Sequence, residues 1–254
     1  MIPAYDARML KPTVQLCDDL EAVSRNAAQR IVRTVSLKPD LLLCPASGFT
    51  PLRTYELLAE HATHHADDFR SLRLVQLDEW GGLARDDPGS CERQIRTSVM
   101  NPLGVPDERF FGFASDTANP QAECERIQRR LASEGPIDLC VLGLGMNGHI
   151  AMNEPSSSLR AQAHIASLAE STLHHPMLAN TCSKPAFGLT LGMTEILTSR
   201  EILLLVSGAA KREPLRKLLG REITTHFPAS LLWLHSNWTL LCDRESAEGL
   251  ELGS

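Results

Sequence analysis

Hydrophobic positions along this chain follow two periods that alternate from one end to the other. Leu20, Val23, Ala27, Ile31 and Val35 fall three or four residues apart, which predicts a helix over Asp18 to Val35. Its acidic residues come early and Arg30 and Arg33 late, as the helix dipole favours, and Lys38-Pro39 ends it. Leu41 to Cys44 is a continuous apolar run and reads as the first buried strand. The segment LRTYELLAEHA, from Leu52, is amphipathic and helical. Leu72 to Leu77 reads as a second strand and Phe110 to Phe113 as a minor one. Ser90 is the expected cap of a helix over Cys91 to Leu103. Pro120 to Ser133 predicts another helix, with its charges on a solvated face. Leu139 to Leu142, Phe187 to Met193, Glu201 to Val206 and Trp238 to Asp243 read as further strands. Short helical stretches are expected at Thr194 to Leu197 and Ala229 to Ser236. Strand and helix alternate without repeats or low-complexity linkers. That order predicts an α/β class with a doubly wound, mainly parallel sheet flanked by helices, in a single domain over residues 1–254.

Composition narrows the partners more than the fold. A net charge of −6 and the lack of a lysine/arginine block argue against a nucleic-acid surface. No apolar run reaches the length needed to span a membrane, and the opening residues MIPAYDARMLKP lack a signal-peptide layout. The seven cysteines form no C-x-x-C pair and sit mostly in apolar runs (Cys44, Cys140, Cys242), so they read as reduced core residues of a cytoplasmic protein.

Candidate chemistry gathers where strands end. Leu139 to Leu142 breaks into Gly143, Gly145 and Gly148 and delivers Asn147, His149, Asn153 and Glu154 ahead of Pro155. Open α/β sheets build sites at this carboxyl edge; a tight turn with a chance histidine would look similar. After Cys44 come Ser47, Gly48, Phe49 and Thr50, with Thr50 a natural N-cap and Pro51 a natural first helical residue. Backbone N–H groups there could cradle a phosphate. The turn has no P-loop lysine, and many such turns hold nothing. Asp78-Glu79 follows the second strand, where it could serve catalysis, cap a helix or face solvent. Ser207 to Lys211 repeats the order of strand, glycine turn and helix. His174-His175 has no partner at metal-ligand spacing and reads as surface.

Four segments together resemble the glucosamine-6-phosphate deaminase family, akin to 6-phosphogluconolactonase: ASGFTPLRTYELL, VQLDEWGGL, LGLGMNGHIAMNEPSSSL and LTLGMTEILTSREILLLVSGAAK. The look is most like the galactosamine-6-phosphate deaminase/isomerase type, through LDEW, GMNGH and the ending PASLLWLHSN. The resemblance implies a Rossmann-like fold and a small-molecule sugar phosphate as substrate, with no cofactor and no metal. A homo-oligomer is compatible with it. The implied reaction opens the ring of a 2-amino-2-deoxyhexose 6-phosphate, moves a proton from C2 to C1, and yields a ketose 6-phosphate and ammonia. By the same resemblance Asp78 is the base, His149 serves ring opening and Glu154 belongs to its relay. Ser47, Gly48, Phe49, Thr50 and Lys211 bind the phosphate.

Two residues depart from that pattern. Asn147 stands where the glucosamine enzymes place an aspartate; its amide could hold a histidine tautomer but not stabilise an imidazolium by charge. Near Leu178 no arginine matches the family's phosphate-binding one. Ser157 and Ser158 match positions near the family's effector site, but His164 and Ala166 replace its basic partners, so no such activation is expected. Lactone hydrolysis and non-catalytic sugar-phosphate sensing are the alternative functions.

Overall fold

An apolar strand buried on both faces needs a helical layer above and below it, and this chain supplies both. The computed structural model describes residues 12–252. Residues 1–11, and with them nearly all of the leading segment MIPAYDARMLKP, lie outside the described residues.

Seven strands form one sheet: β1 (Thr13–Cys17), β2 (Leu42–Cys44), β3 (Arg73–Val75), β5 (Phe110–Phe111), β6 (Leu139–Gly143), β9 (Glu201–Val206) and β10 (Trp238–Asp243). Their order is β1-β10-β9-β6-β2-β3-β5, and every neighbouring pair is parallel. The helices are α1 (Leu20–Leu37), α2 (Leu52–Ala62), α3 (Cys91–Ile95), α4 (Asn101–Leu103), α5 (Pro120–Glu134), α6 (Glu170–Leu173), α7 (Met193–Leu197) and α8 (Arg212–Leu219).

Alternation within each strand divides the core. Leu42 and Cys44 face one side with Ile127 and Leu131 of α5 and Leu215 of α8. Leu41 and Leu43 face the other with Val23 and Ile31 of α1 and Leu58 of α2. Fully burying such a side chain stabilises the fold by about 1.5–3 kcal/mol. That exceeds the tenths of a kcal/mol that separate most residues in helix propensity, so tertiary packing fixes these short strands.

The predicted class holds, with several differences in detail. The first strand is β1, upstream of Leu41, and its mostly exposed TVQLC gives no apolar run because it lies at the sheet edge beside β10. The strand expected over Leu72 to Leu77 ends at Val75. There the Gln76 side chain takes over the pairing: its amide donates to the Asp78 carbonyl and its oxygen accepts from Phe113 N–H. The chain then enters a second sheet, in which β4 (Asp78–Gly81) pairs antiparallel with β8 (Phe187–Thr190), and β8 with β7 (His164–Ala166). Helix α2 starts at Leu52 with Pro51 as its cap residue, so Thr50 makes no capping bond. Ser90 does cap α3, accepting from Arg93 N–H at 3.2 Å, and the helix runs through a π turn at Arg96–Met100 into α4. Pro228–Leu234 is a 3₁₀ stretch. Among the described residues no helix is long and apolar enough to cross a membrane.

Candidate active site

The strand order reverses direction between β2 and β6. From β2 the chain builds outward through β3 and β5; from β6 it builds the other way through β9 and β10. A crevice opens at such a switch point, outside the carboxyl ends of the strands. Because β2, β6 and β9 are neighbours, the turns leaving them meet there. The turn after β2 carries Ser47 to Thr50, the turn after β6 carries Asn147 and His149, and the turn after β9 carries Lys211. All of them line one cleft of about 210 Å³, together with Asp78 from the second sheet. That is smaller than the roughly 300–1,000 Å³ usual for drug-sized ligands and suits a compact polar molecule.

Successive residues of β4 point to opposite sides, which separates the two adjacent carboxylates. Glu79 is fully buried and faces the start of α3. It accepts from the N–H groups of Trp80, Cys91 and Glu92 at 2.7–2.9 Å, from Ser90 Oγ at 3.1 Å and from Gln76 Nε2 at 2.9 Å. This carboxylate is a helix-terminal anchor. Burial still drives its acidity down, so its pKa lies above the ordinary value.

Asp78 faces the cleft with few partners. Ser47 Oγ donates to its Oδ1 at 3.4 Å, a weak contact. Burial, reinforced by the negative charge of Glu79, pushes the Asp78 carboxyl up to about 7; the positive charge of His149 and the Ser47 contact oppose this only in part. A carboxylate poised near neutrality can both take and return a proton.

His149 sits on a closed turn. Gly145 N–H donates to the His149 carbonyl at 3.1 Å and Gly148 N–H to the Gly145 carbonyl at 3.0 Å. The ring lies so close over Gly145 that a Cβ there would approach it to 2.5 Å. Its Nδ1 is 3.5 Å from Glu154 Oε2, a contact without hydrogen-bond geometry. Glu154 is held more firmly by Asn147 Nδ2 at 2.8 Å and by a short bond from Thr172 Oγ1. Burial raises the Glu154 carboxyl, but contact with His149 and the bonds from Thr172 and Asn147 outweigh it and hold the group down to about 2.

The Asn147 amide therefore does not orient the imidazole directly. Its Oδ1 accepts from the His149 backbone N–H at 3.1 Å and its Nδ2 serves Glu154, so it shapes the turn and fixes the carboxylate behind the ring. Asn153 is buried and structural, donating to the carbonyls of Ile150 and Leu191.

At the other end of the cleft, Lys211 Nζ donates to the Leu144 carbonyl at 2.6 Å, which aims the side chain back across the mouth of β6. Burial lowers its pKa. Gly48 is clamped by Gln94, whose oxygen accepts from Gly48 N–H at 2.7 Å and whose amide donates to the Gly48 carbonyl at 2.9 Å. Its N–H is thus already engaged, leaving the neighbouring positions of the turn to meet a ligand.

Three lining or supporting residues escaped the sequence reading. Gln94 and Thr172 carry no local signal, because a Gln or Thr on a helix is ordinarily a solvated residue. His175 corrects an expectation: only His174 is a surface residue of that pair. The His175 ring lies 6.1 Å from the Phe49 ring and 6.3 Å from Trp80, on the wall of the cleft. Its Nδ1 accepts from Met177 N–H at 3.3 Å, which leaves Nε2 to carry the proton of the neutral ring. Burial, with the charges of His149 and Lys211, lowers its pKa.

Comparison with known proteins identifies the family. Residues 18–241 match the family described as glucosamine-6-phosphate isomerases/6-phosphogluconolactonase. The inferred deaminase AgaI of Escherichia coli (strain K12) is 39% identical over 229 residues, covering 90% of this chain and 91% of its own. Glucosamine-6-phosphate deaminase 1 of Bacillus subtilis (strain 168) is 38% identical over 237 residues, covering 92% and 98%. The solved structure of a monomeric glucosamine-6-phosphate deaminase superposes with a TM-score of 0.88 at 37% identity, covering 92% of this chain and 98% of that one. The 6-phosphogluconolactonase of Leishmania guyanensis shares the fold, with a TM-score of 0.75 at 20% identity over 95% and 99% of the two chains. Matched over nearly its whole described length, this chain belongs to the glucosamine-6-phosphate isomerase/6-phosphogluconolactonase family.

Proposed function

We propose that this protein deaminates and isomerises a 2-amino-2-deoxyhexose 6-phosphate, with galactosamine 6-phosphate preferred over glucosamine 6-phosphate. The observation that carries the reading is Asp78, a buried carboxyl held at about 7 in the same cleft as Lys211 and the Ser47–Thr50 turn. Lys211 and the turn take the 6-phosphate, with Ser47, Phe49 and Thr50 offering backbone or hydroxyl donors. That anchor leaves the sugar carbons toward Asp78 and His149.

The chemistry then divides among the residues. His149, with Glu154 behind it, moves the proton between O1 and O5 that opens the ring. Asp78 removes the C2 proton of the open-chain aldehyde, giving an enolamine, and returns the proton to C1. The C2 iminium that results adds water and expels ammonia, which leaves the ketose 6-phosphate. A carboxylate beside a C–H and an imidazole beside a ring oxygen suit these two proton transfers. The preference for the galacto sugar rests on the Leu77-Asp78-Glu79-Trp80 and Gly145-Met146-Asn147-Gly148-His149 segments. A cytoplasmic setting fits the cysteines of the described residues, all of which are unpaired.

The test is ammonia release from galactosamine, glucosamine and N-acetylated 6-phosphates, run beside a 6-phosphogluconolactone hydrolysis assay. Ammonia from an unacetylated sugar, fastest with galactosamine 6-phosphate, is the expected result. Lactone hydrolysis without ammonia would overturn it.

A further inference from the structure

We propose that the carboxyl end of α2 binds a divalent first-row transition metal through His61, His65 and Asp68. This site is separate from the cleft. The eleven residues of α2 put roughly 16 Å of helix between it and the phosphate turn.

The backbone sets the three residues on one face. His65 N–H donates to the His61 carbonyl at 3.1 Å, a full helical turn, and Asp68 N–H donates to the His65 carbonyl at 3.1 Å, a tighter turn. His61 thus lies in the last turn of α2, His65 just past it and Asp68 on the 3₁₀ turn Ala66–Phe69. One ligand atom from each lies within 4.8 Å of the other two.

The side chains are already close to a chelating geometry. His61 Nε2 is 2.8 Å from Asp68 Oδ2. With metal–ligand distances of about 2.0–2.1 Å, atoms that far apart subtend an angle of about 86°, near the right angle of an octahedral edge. A tetrahedral ion needs about 3.3 Å, a small opening of the pair. The His61 ring is fixed by the edge of Phe69 at 5.9 Å and by the His65 ring stacked 4.5 Å away. His65 is exposed, and stacked there it already offers a ring nitrogen within 4.8 Å of the other two ligand atoms.

The chemistry of the donors selects the ion. Two imidazoles and one carboxylate suit zinc, nickel or copper, with water in the remaining positions, and suit magnesium poorly. The metal takes the place of the hydrogen between His61 Nε2 and Asp68 Oδ2, with the neutral imidazole carrying its proton on Nδ1. The helix terminus adds its negative end, which favours a cation. Bound there, the ion ties the last turn of α2 to the following Ala66–Phe69 turn.

Calorimetry of the full chain with zinc chloride tests this, with magnesium chloride as the hard-ion control. The expected result is one zinc per chain at this site and no response to magnesium. His65→Ala and Asp68→Asn should each weaken zinc by at least roughly tenfold, since even outer-shell changes cost that much at metal sites. Both residues are away from the core, and circular dichroism checks that the variants stay folded. His64→Ala, which removes the adjacent exposed imidazole, should bind as wild type does. Absence of zinc binding, binding that survives His65→Ala and Asp68→Asn, or binding lost instead with His64→Ala would each overturn the proposal.

Discussion

Asn147 Nδ2 donates to Glu154 Oε2 at 2.8 Å, and the same oxygen lies 3.5 Å from His149 Nδ1. One carboxylate oxygen thus joins a neutral donor to the imidazole. Asn147→Asp would replace that donor with a second anion. Glu154 would then lose a hydrogen bond and gain a like charge, and both effects raise its pKa from about 2. In the wild type the depressed Glu154 stabilises the fold above the unfolded carboxyl value, and that contribution fades as pH falls toward 2. In the variant the sign reverses, because the pair is most stable when it shares a proton. We expect Asn147→Asp to be less stable than wild type by about 1–3 kcal/mol at pH 8, the scale of a buried group left unsatisfied. The gap should narrow toward pH 5. Urea melts at the two pH values would show it, and equal midpoints at both would mean that Asn147 and Glu154 are uncoupled.

Asp78→Asn should change activity and stability in opposite directions. The native carboxyl is pushed from the ordinary 3.8 to about 7, so the unfolded chain ionises first as pH rises. Stability is therefore whole below about pH 4 and declines between about pH 4 and 7. An amide escapes that loss. The variant should match wild type near pH 4, exceed it by a few kcal/mol at pH 8, and lose solvent exchange at C2 of the substrate. Thermal melts across this range and deuterium exchange separate the two effects. A variant that exchanges C2 normally would remove Asp78 from the reaction.

The same pKa sets a rate profile. In the free enzyme kcat/KM should rise through an acidic limb near pH 7 as Asp78 loses its proton. Ser47→Ala withdraws a contact that favours the charged form, so its limb should move to higher pH. A limb that stays in place would show that another group controls it.

Lys211→Ala should matter only to phosphorylated ligands. A charge-assisted hydrogen bond contributes about 1.5–3 kcal/mol, so binding of the sugar 6-phosphate should weaken by roughly 10- to 150-fold. The dephosphorylated sugar should be almost unaffected. Equal weakening of both, measured by calorimetry, would assign Lys211 to the sugar ring.

The fold and half of the site were legible for the same reason: buried parallel strands are apolar runs, and ligand-facing turns follow their carboxyl ends. That logic located Ser47, His149 and Lys211 on neighbouring strands. It failed where partners come from far along the chain. Nothing near Glu79 announces that it will gather two N–H groups at the start of α3, and nothing near His175 announces Phe49 and Trp80. The edge strand β1 was missed because an exposed strand lacks an uninterrupted apolar signal, and the strand read at Phe187 to Met193 gave no sign that it pairs antiparallel in a second sheet, because pairing partners are not local.

Gly145 and Gly148 offer a last test, because they sit in one turn but are constrained differently. Gly148 has φ +86°, and a Cβ there would meet the Phe227 ring at 2.2 Å. Gly148→Ala therefore strains both backbone and core and should destabilise the protein outright. Gly145 is not in the left-handed region, and the ring of His149 is the nearest thing a Cβ would meet. Gly145→Ala should leave the backbone in place and push the imidazole away from Glu154. Misplacing a catalytic group by about 1 Å can cost on the order of 10²-fold in rate, so kcat should fall by about that factor. KM should change little, since Lys211 and the phosphate turn are untouched. Melting temperatures, steady-state rates and a crystal structure of the variant decide the matter together. A displaced ring with an unchanged kcat would show that the position of His149 is not what the reaction depends on.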